Sequence, residues 1–486
     1  GKFAITLMPD RQAIEVNESY YVGNIESKSG IYKFGVSLQF PFGDPFRTLT
    51  FGVLLVDPEI PLDYTIAIAD INRDYNFTND PIIHYRGDRI ISLDLNGDNY
   101  PDISGGLVGG FFYDVLSHFS YPPKFLPGWD RKGEYLSIFY DFVGHGTTVA
   151  GVIASRGKVK YNIEPFGKVS LPGIAPSSKI VGIKALWLGN VEIAMLWAAG
   201  FDIKGGTIYY TGKLRADIIN NSWGTPFTLY DVFGPSYDLQ SLFINGLILP
   251  KYLDPNYPGI LIIQAAGNEG FGYSTLSPPA TASLVLSVGS STSTHPFSNF
   301  TGYSKEGYFD GVLPYSSRGP NFIGEIKPDV VAPGSFAAVV SKLELGGWIW
   351  FGGTSLSTAI TSGIASLVME ASGLKDPLEI KAIIQASAKD LSLDPFTQGS
   401  GRVDALKAVN LAKAIYKKEE LKEAFLYPKS NLKDLEYILK DAWKLQWLYS
   451  IPNNFLSFHS LLPPFPSNPP KFKEIHQFPQ FLGWID

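Results

Sequence analysis

The sequence predicts an α/β fold built on a doubly wound, mostly parallel sheet flanked by helices. Two observations predict it. Apolar β-type runs alternate with helical patterns from about residue 51 to 415, as in VGIKAL, ADIINNSWG, GILIIQAAGNEG, ASLVLSVGSST and then TAITSGIASLVMEA. At 486 residues, 45% hydrophobic and 18% charged, the chain can also bury a large core.

In chain order, residues 1–50 read as a small N-terminal β extension, because IYKFGVSLQF alternates between Gly and Pro boundaries. Residues 51–415 carry the βα alternation, with an insertion near 70–140. Residues 416–486 change character twice, first to the charged helix KKEELKEAF and then to LPPFPSNPPKFKEIHQFP. Proline density there excludes a regular helix or a central strand, so an irregular tail is expected.

Composition excludes several functions. A net charge of −6 with scattered Lys and Arg offers no stripe for nucleic acid. Cysteine is absent, which removes disulfides, thiolate nucleophiles and Cys-based zinc sites, and leaves Ser, Thr, Lys or carboxylates for covalent catalysis. No apolar run is long enough to span a membrane. The first residue is Gly, so any targeting or membrane segment is expected to have been removed or to lie outside this sequence. N-x-[ST] sequons at Asn17, Asn76, Asn220 and Asn299 point to an extracellular or cell-surface glycoprotein, although chance alone supplies as many.

In open α/β sheets ligands bind beyond the carboxyl ends of the strands, so the polar residues there matter most. GGTSLSTAITSGIASLV, residues 352–368, sets glycines before a Ser that opens an apolar helix. A Ser355 hydroxyl at a helix N-terminus lies beside free N–H groups that stabilise an oxyanion; Thr354, Ser355 and Ser357 fit plain N-caps equally well. DFVGHGTTVAGVIAS, residues 141–155, flanks His145 with glycines that allow close approach to the imidazole, against the bland alternative of a structural His. In AAGNEG, residues 265–270, Asn268 ends a strand, where it is either an amide donor to a developing oxyanion or a turn residue.

With these segments the chain resembles the subtilisin-like serine proteases. GHGTTVAG resembles the family's His motif, GGTSLST its Ser motif and AAGNEG its oxyanion-hole Asn. GIAPSSKIVGIKAL, DIINNSWG, PPATASLVLSVGS, YSSRGP, IKPDVVAPG and SGRVDALKAV follow in the family's order. The resemblance implies a subtilisin-like fold and a secreted endopeptidase with an Asp–His–Ser triad, acting on protein or peptide substrates. Ser355 would be the nucleophile, His145 the general base, and Asn268 with the Ser355 N–H the oxyanion hole. Ser222, Trp223 and Gly224 would form the cleft wall against which an extended substrate pairs.

The chain departs from the family in three places. The usual Asp-[ST]-Gly is missing: Asp70 ends the run YTIAIAD with Asn72 where Gly is expected, and Asp57 ends FGVLLVD; Asp70 is the preferred triad acid and Asp57 its rival. After the nucleophile, Ala359 stands where the family has Pro. The insertion carries DLNGDNYPDISGG, in which Asp94, Asn96, Asp98 and Asp102 take positions 1, 3, 5 and 9 of a calcium loop and the Tyr100 carbonyl position 7. Asn99 at position 6 and Gly105 at position 12 make it an incomplete EF-hand, so a structural Ca2+ is expected there against a solvated turn. Weaker spacing of the same kind occurs at Asp70, Asn72, Asp74 and Asn76. Two other functions stay open: a catalytically silent, calcium-stabilised surface or scaffold module, and a Ser–Glu–Asp carboxyl peptidase, which His145 argues against.

Overall fold

The computed structural model describes residues 4–6, 21–38, 51–113, 125–141, 143–185, 190–204, 207–224, 236, 239–270, 272–292 and 311–417. Strands β1 (Ala4–Thr6), β2 (Lys33–Leu38), β3 (Gly52–Val56), β4 (Ile66–Ala69), β5 (Ile82–His84), β6 (Ile90–Leu93) and β7 (Ile103–Val108) belong to one sheet. A separate two-stranded ladder, β8 (Phe111–Tyr113) with β9 (Phe125–Pro127), precedes the eighth strand of that sheet, β10 (Tyr135–Phe139). The order is β5-β4-β3-β2-β1-β10-β7-β6. Only β1 pairs in parallel, with β2 and β10; the other ladders are antiparallel.

This sheet is larger than the β extension and insertion that the sequence suggests. Alternation in β3 explains how it is held. Val53 and Leu55 point into a cluster with Ala67, Ile83, Leu136 and Trp129, while Leu54 and Val56 point the other way, to Ile68 and Phe77. Both faces of β3 are therefore covered, and all five of its residues are buried.

The chain then enters helix α1 (His145–Ala154) and the hairpin of β11 (Arg156–Ile163) and β12 (Gly167–Pro172). Helix α2 (Asn190–Ala198) and the ladder of β13 (Phe201–Lys204) with β14 (Thr207–Tyr210) follow. The second main sheet contains β15 (Ile218–Asn221), β16 (Leu261–Ala265), β17 (Leu286–Ser291) and β18 (Val330–Pro333), adjacent in that order and all parallel, with α3 (Leu239–Ile248) between β15 and β16. Strands β19 (Ala337–Val340) and β20 (Trp348–Phe351) form a hairpin that leads into α4 (Thr354–Ser372). Helices α5 (Pro377–Ala386), α6 (Pro395–Gln398) and α7 (Ala405–Lys417) complete the described chain.

Here the helix-flanked parallel architecture is present. On β16, Leu261 and Ile263 pack with Ile364, Val368 and Ile380 of α4 and α5, whereas Ile262 packs with Met195, Phe243 and Leu247 of α2 and α3. A strand covered on both faces reads as a continuous apolar run, which is why GILIIQAA stands out in the sequence.

One expected strand does not form. VGIKAL, through residue 185, is coil, with Val181 about half exposed, and no strand among the described residues pairs with it. The predicted C-terminal tail lies outside the described residues beyond α7. No helix among the described residues is long and apolar enough to cross a membrane.

Candidate active site

The carboxyl ends of β15 and β16 meet the N-terminus of α4. Gly353, at φ 104, turns the chain from β20 into the helix, and its N–H donates to the Gly334 carbonyl (2.9 Å) and faces the Tyr315 hydroxyl (3.1 Å). Ser357, one turn further, donates to the Ala332 carbonyl (2.9 Å) and shares a hydrogen bond with Ser290 Oγ (2.9 Å), fixing α4 to the ends of β17 and β18. Buried hydroxyls along the helix are satisfied by the preceding turn, Thr358 on the Thr354 carbonyl and Thr361 on the Ser357 carbonyl. Ser357 is thus a structural anchor.

Ser355 sits in the first helical turn, half-buried. Its Oγ donates to the Ser222 carbonyl (3.1 Å), and Ser222 Oγ donates back to the Ser355 carbonyl (3.1 Å). Asn220 steadies this exchange: its Nδ2 donates to Ser222 Oγ (3.0 Å), and its Oδ1 accepts from Ser362 of α4 (2.9 Å). Trp223 is half-buried, its carbonyl held by Gln264 Nε2, while Gly224 is exposed; a Cβ there would lie 2.7 Å from the Ser277 Cβ. Ser222, Trp223 and Gly224 therefore border Ser355, on the side where the sequence expects the cleft wall.

Asn268 closes the other side. Its Oδ1 accepts from both the N–H and the hydroxyl of Thr354, each at 3.0 Å. That leaves its Nδ2 protons without a partner among the described residues, beside the Ser355 N–H, which likewise has none among them. The preceding Gly267, at φ 112, is required: a Cβ would come within 2.1 Å of Glu269 Oε2 and 2.4 Å of Ser277 Oγ.

His145 is the first residue of α1, after Gly144 at φ 84. Val149 and Val152 of this helix pack against Leu356 and Ala359 of α4, so the two N-termini lie side by side, and the imidazole stacks edge-on against Phe351, centroids 5.6 Å apart. Ser355 Oγ does not hydrogen-bond to it. Burial pushes the His145 pKa down, and the charge of Asp141 acts in the opposite direction. Asp141, which the sequence reading does not single out, caps α1, accepting from the Gly144 N–H (2.9 Å) and the Thr147 N–H (2.7 Å). Its sequence signal, an Asp shortly before a helix, is that of any N-cap.

The two candidate acids follow β3 and β4. Asp57 is fully buried and accepts from Ser27 Oγ, the Ser29 N–H (3.1 Å) and the Leu62 N–H (2.7 Å); burial raises its pKa, but these bonds together hold it below the usual value. Asp70 is buried and accepts from the Asp74 N–H (3.1 Å) and the Tyr75 N–H (3.2 Å), while burial keeps its pKa raised. Neither makes a hydrogen bond or ion pair with His145; Asp70 instead accepts from the backbone of the turn that follows it.

In the predicted calcium loop the side-chain oxygens face the loop's own amides. Asp94 accepts from the Gly97 and Asn99 N–H groups, Asp98 from Tyr100, Asn96 from Asp98, and Asp102 from Leu95 and Asn96. Among the described residues, the carboxylates whose oxygens converge within 4.8 Å are those of Asp70, Asp74 and Asp80. Two sequons are structural in character: Asn220 lies in β15, and Asn76 Oδ1 accepts from the N–H (3.1 Å) and hydroxyl (2.7 Å) of Thr78. Asn17 and Asn299 lie outside the described residues.

The sequence profile of the subtilase family, peptidase S8, matches residues 112–402, more than half of the chain. It takes in Asp141, His145, Asn268 and Ser355 and begins after Asp57, Asp70 and Asp80. The chain is similar to pyrolysin of Pyrococcus furiosus, 28% identical over 446 residues that cover 81% of this chain and 29% of pyrolysin. It is also similar to serine protease AprX of Bacillus subtilis, 26% identical, covering 67% of this chain and 66% of AprX. A third relative is subtilisin-like protease SBT6.1 of Arabidopsis thaliana, 28% identical, covering 57% of this chain and 23% of that protein. The chain thus spans less than a third of the length of pyrolysin and of SBT6.1.

Proposed function

The chain belongs to the subtilase family, and from that premise we propose that it is a secreted serine endopeptidase that hydrolyses peptide bonds in extended segments of protein substrates. The observation that carries this reading is the pair of unused donors at one point: Asn268 Nδ2, left over when Thr354 occupies Oδ1, and the Ser355 N–H in the first turn of α4. Two donors beside a nucleophilic hydroxyl form an oxyanion hole.

In the proposed reaction Ser355 Oγ leaves the Ser222 carbonyl and attacks the scissile carbonyl carbon, its proton passing to His145. The carbonyl oxygen becomes the oxyanion on Asn268 Nδ2 and the Ser355 N–H. The imidazolium then protonates the departing amine, and water, deprotonated by His145, releases the acyl group. Asp141 favours the imidazolium by its charge and takes the electrostatic role that the sequence reading gives to Asp70. The substrate backbone pairs along Ser222, Trp223 and Gly224.

A second reading has one observation in its favour: no carboxylate among the described residues hydrogen-bonds to His145, as a catalytically silent surface or scaffold relative would permit. Casein hydrolysis separates the two. The endopeptidase reading expects turnover by the wild type, none above background with Ser355→Ala, and a kcat lower by roughly a hundredfold to a thousandfold with Asn268→Ala. Wild-type protein that folds and never cleaves supports the silent relative.

A further inference from the structure

We propose that the outward face of the hairpin of β11 and β12 docks an acidic, extended polypeptide segment. Side chains of a strand alternate between its two faces, and exposure alternates along this hairpin. Arg156, Lys158, Lys160 and Asn162 of β11 are exposed, as are Lys168 and Ser170 of β12, while Val159, Tyr161, Val169 and Leu171 between them are partly buried and Ile163 is buried. The register sets Lys160 opposite Ser170 and Asn162 opposite Lys168, so the exposed residues share one face; the irregularity between Arg156 and Lys160 leaves the alternation intact. Four of these six residues are cationic, in a chain whose net charge is −6. None of the four has an ion-pair partner among the described residues. Glu164, the one acidic residue between 156 and 172, stands in the turn.

Charge complementarity and spacing select the occupant. Alternate side chains of an extended peptide recur about every 7 Å, the interval at which Lys158 and Lys160 recur along β11, so carboxylates at alternate positions meet the cations in register. A second copy of the chain would bring the same positive face and be repelled, as lysines on exposed strands commonly ensure. A membrane surface calls for apolar side chains among the cations, whereas the other outward positions from Lys158 to Ser170 are Asn162 and Ser170, and the half-exposed Phe166 belongs to the turn. The hairpin is also fixed beside the proposed catalytic residues. It follows α1 directly, and the Gly173 and Ile174 N–H groups donate to the Ser155 (2.8 Å) and Val152 (2.9 Å) carbonyls. The Tyr161 ring lies against Gly347, where a Cβ would come within 2.7 Å of it, and Gly347 precedes β20, which ends at Phe351 beside His145. A segment held on this face keeps the rest of its chain near Ser355; only the identity of that chain, a protein substrate, rests on the peptidase reading.

The test is binding of a fluorescein-labelled octaglutamate peptide to the full chain carrying Ser355→Ala, so that no cleavage intervenes. Octaglutamine, heparin and vesicles of phosphatidylserine with phosphatidylcholine are the parallel arms. The readout is binding and not turnover, so its failure leaves the proposed reaction standing, and an inactive wild type does not touch it. Octaglutamate is expected to bind, to weaken as NaCl is raised, and to bind at least tenfold more tightly than octaglutamine. Lys158→Glu with Lys160→Glu, both at exposed positions, is expected to weaken octaglutamate binding at least tenfold at an unchanged Tm. Lys413→Glu, at an exposed position on α7, is expected to leave it as it was. The proposal is overturned if octaglutamate binds no better than octaglutamine, if the double variant keeps the original affinity, or if Lys413→Glu weakens binding as much. It is also overturned if heparin or the vesicles bind through Lys158 and Lys160 more tightly than octaglutamate does.

Discussion

His145 carries the pH dependence of the proposed chemistry. A general base works in its neutral form, and burial holds this imidazole below the ordinary value near 6.5 while Asp141 pulls it upward. The acid limb of kcat/KM is therefore expected to have its midpoint below about 6.5, with activity rising as pH passes upward through it. Asp141→Asn removes the raising charge and should move the midpoint lower still, whereas Asp70→Asn should leave it in place. A midpoint that stays put in Asp141→Asn, or one that moves in Asp70→Asn, would return the acidic role to Asp70. Ser355, His145 and Asn268 are legible in the sequence because glycines mark their settings: Gly353 before the helix, Gly144 before the imidazole and Gly267 before the amide, each at positive φ. Asp141 is not, because one carboxylate before a helix has the same pattern whether it only caps or also acts on a neighbouring ring.

Among the elements, α4 does the positioning. It crosses β15 to β18 closely because its residues there are small, and Gly363 lies against Ile174, where a Cβ would fall 2.5 Å from the isoleucine Cβ. Gly363→Ala is expected to destabilise the fold by about 1–3 kcal/mol through this overlap, measured as a lower midpoint in denaturant at unchanged m-value. A neutral effect would show that α4 is not held at that distance. The apolar helix TAITSGIASLVMEA and the strand GILIIQAA are readable from composition, since each is buried along most of its length. VGIKAL has the same apolar character and remains coil, because a strand also needs a neighbour to pair with, and pairing is not written in the segment itself.

The whole molecule is organised on two sheets. The parallel, helix-flanked sheet carries Ser222, Trp223, Asn268 and the anchors of Ser355, and it is the part that the alternation of runs predicts. The antiparallel-rich sheet before it is only partly legible: its short strands alternate as β-type runs do, but β1 meets β10 across more than a hundred residues, a pairing that no local pattern specifies. The central claim is that Ser355 is an activated nucleophile beside His145. It is tested most directly by labelling with a fluorophosphonate probe and mapping the modified peptide. The account predicts a single adduct on Ser355, formed at neutral pH and lost in His145→Ala. A folded wild-type protein that takes up no probe, or takes it up equally without His145, would contradict it.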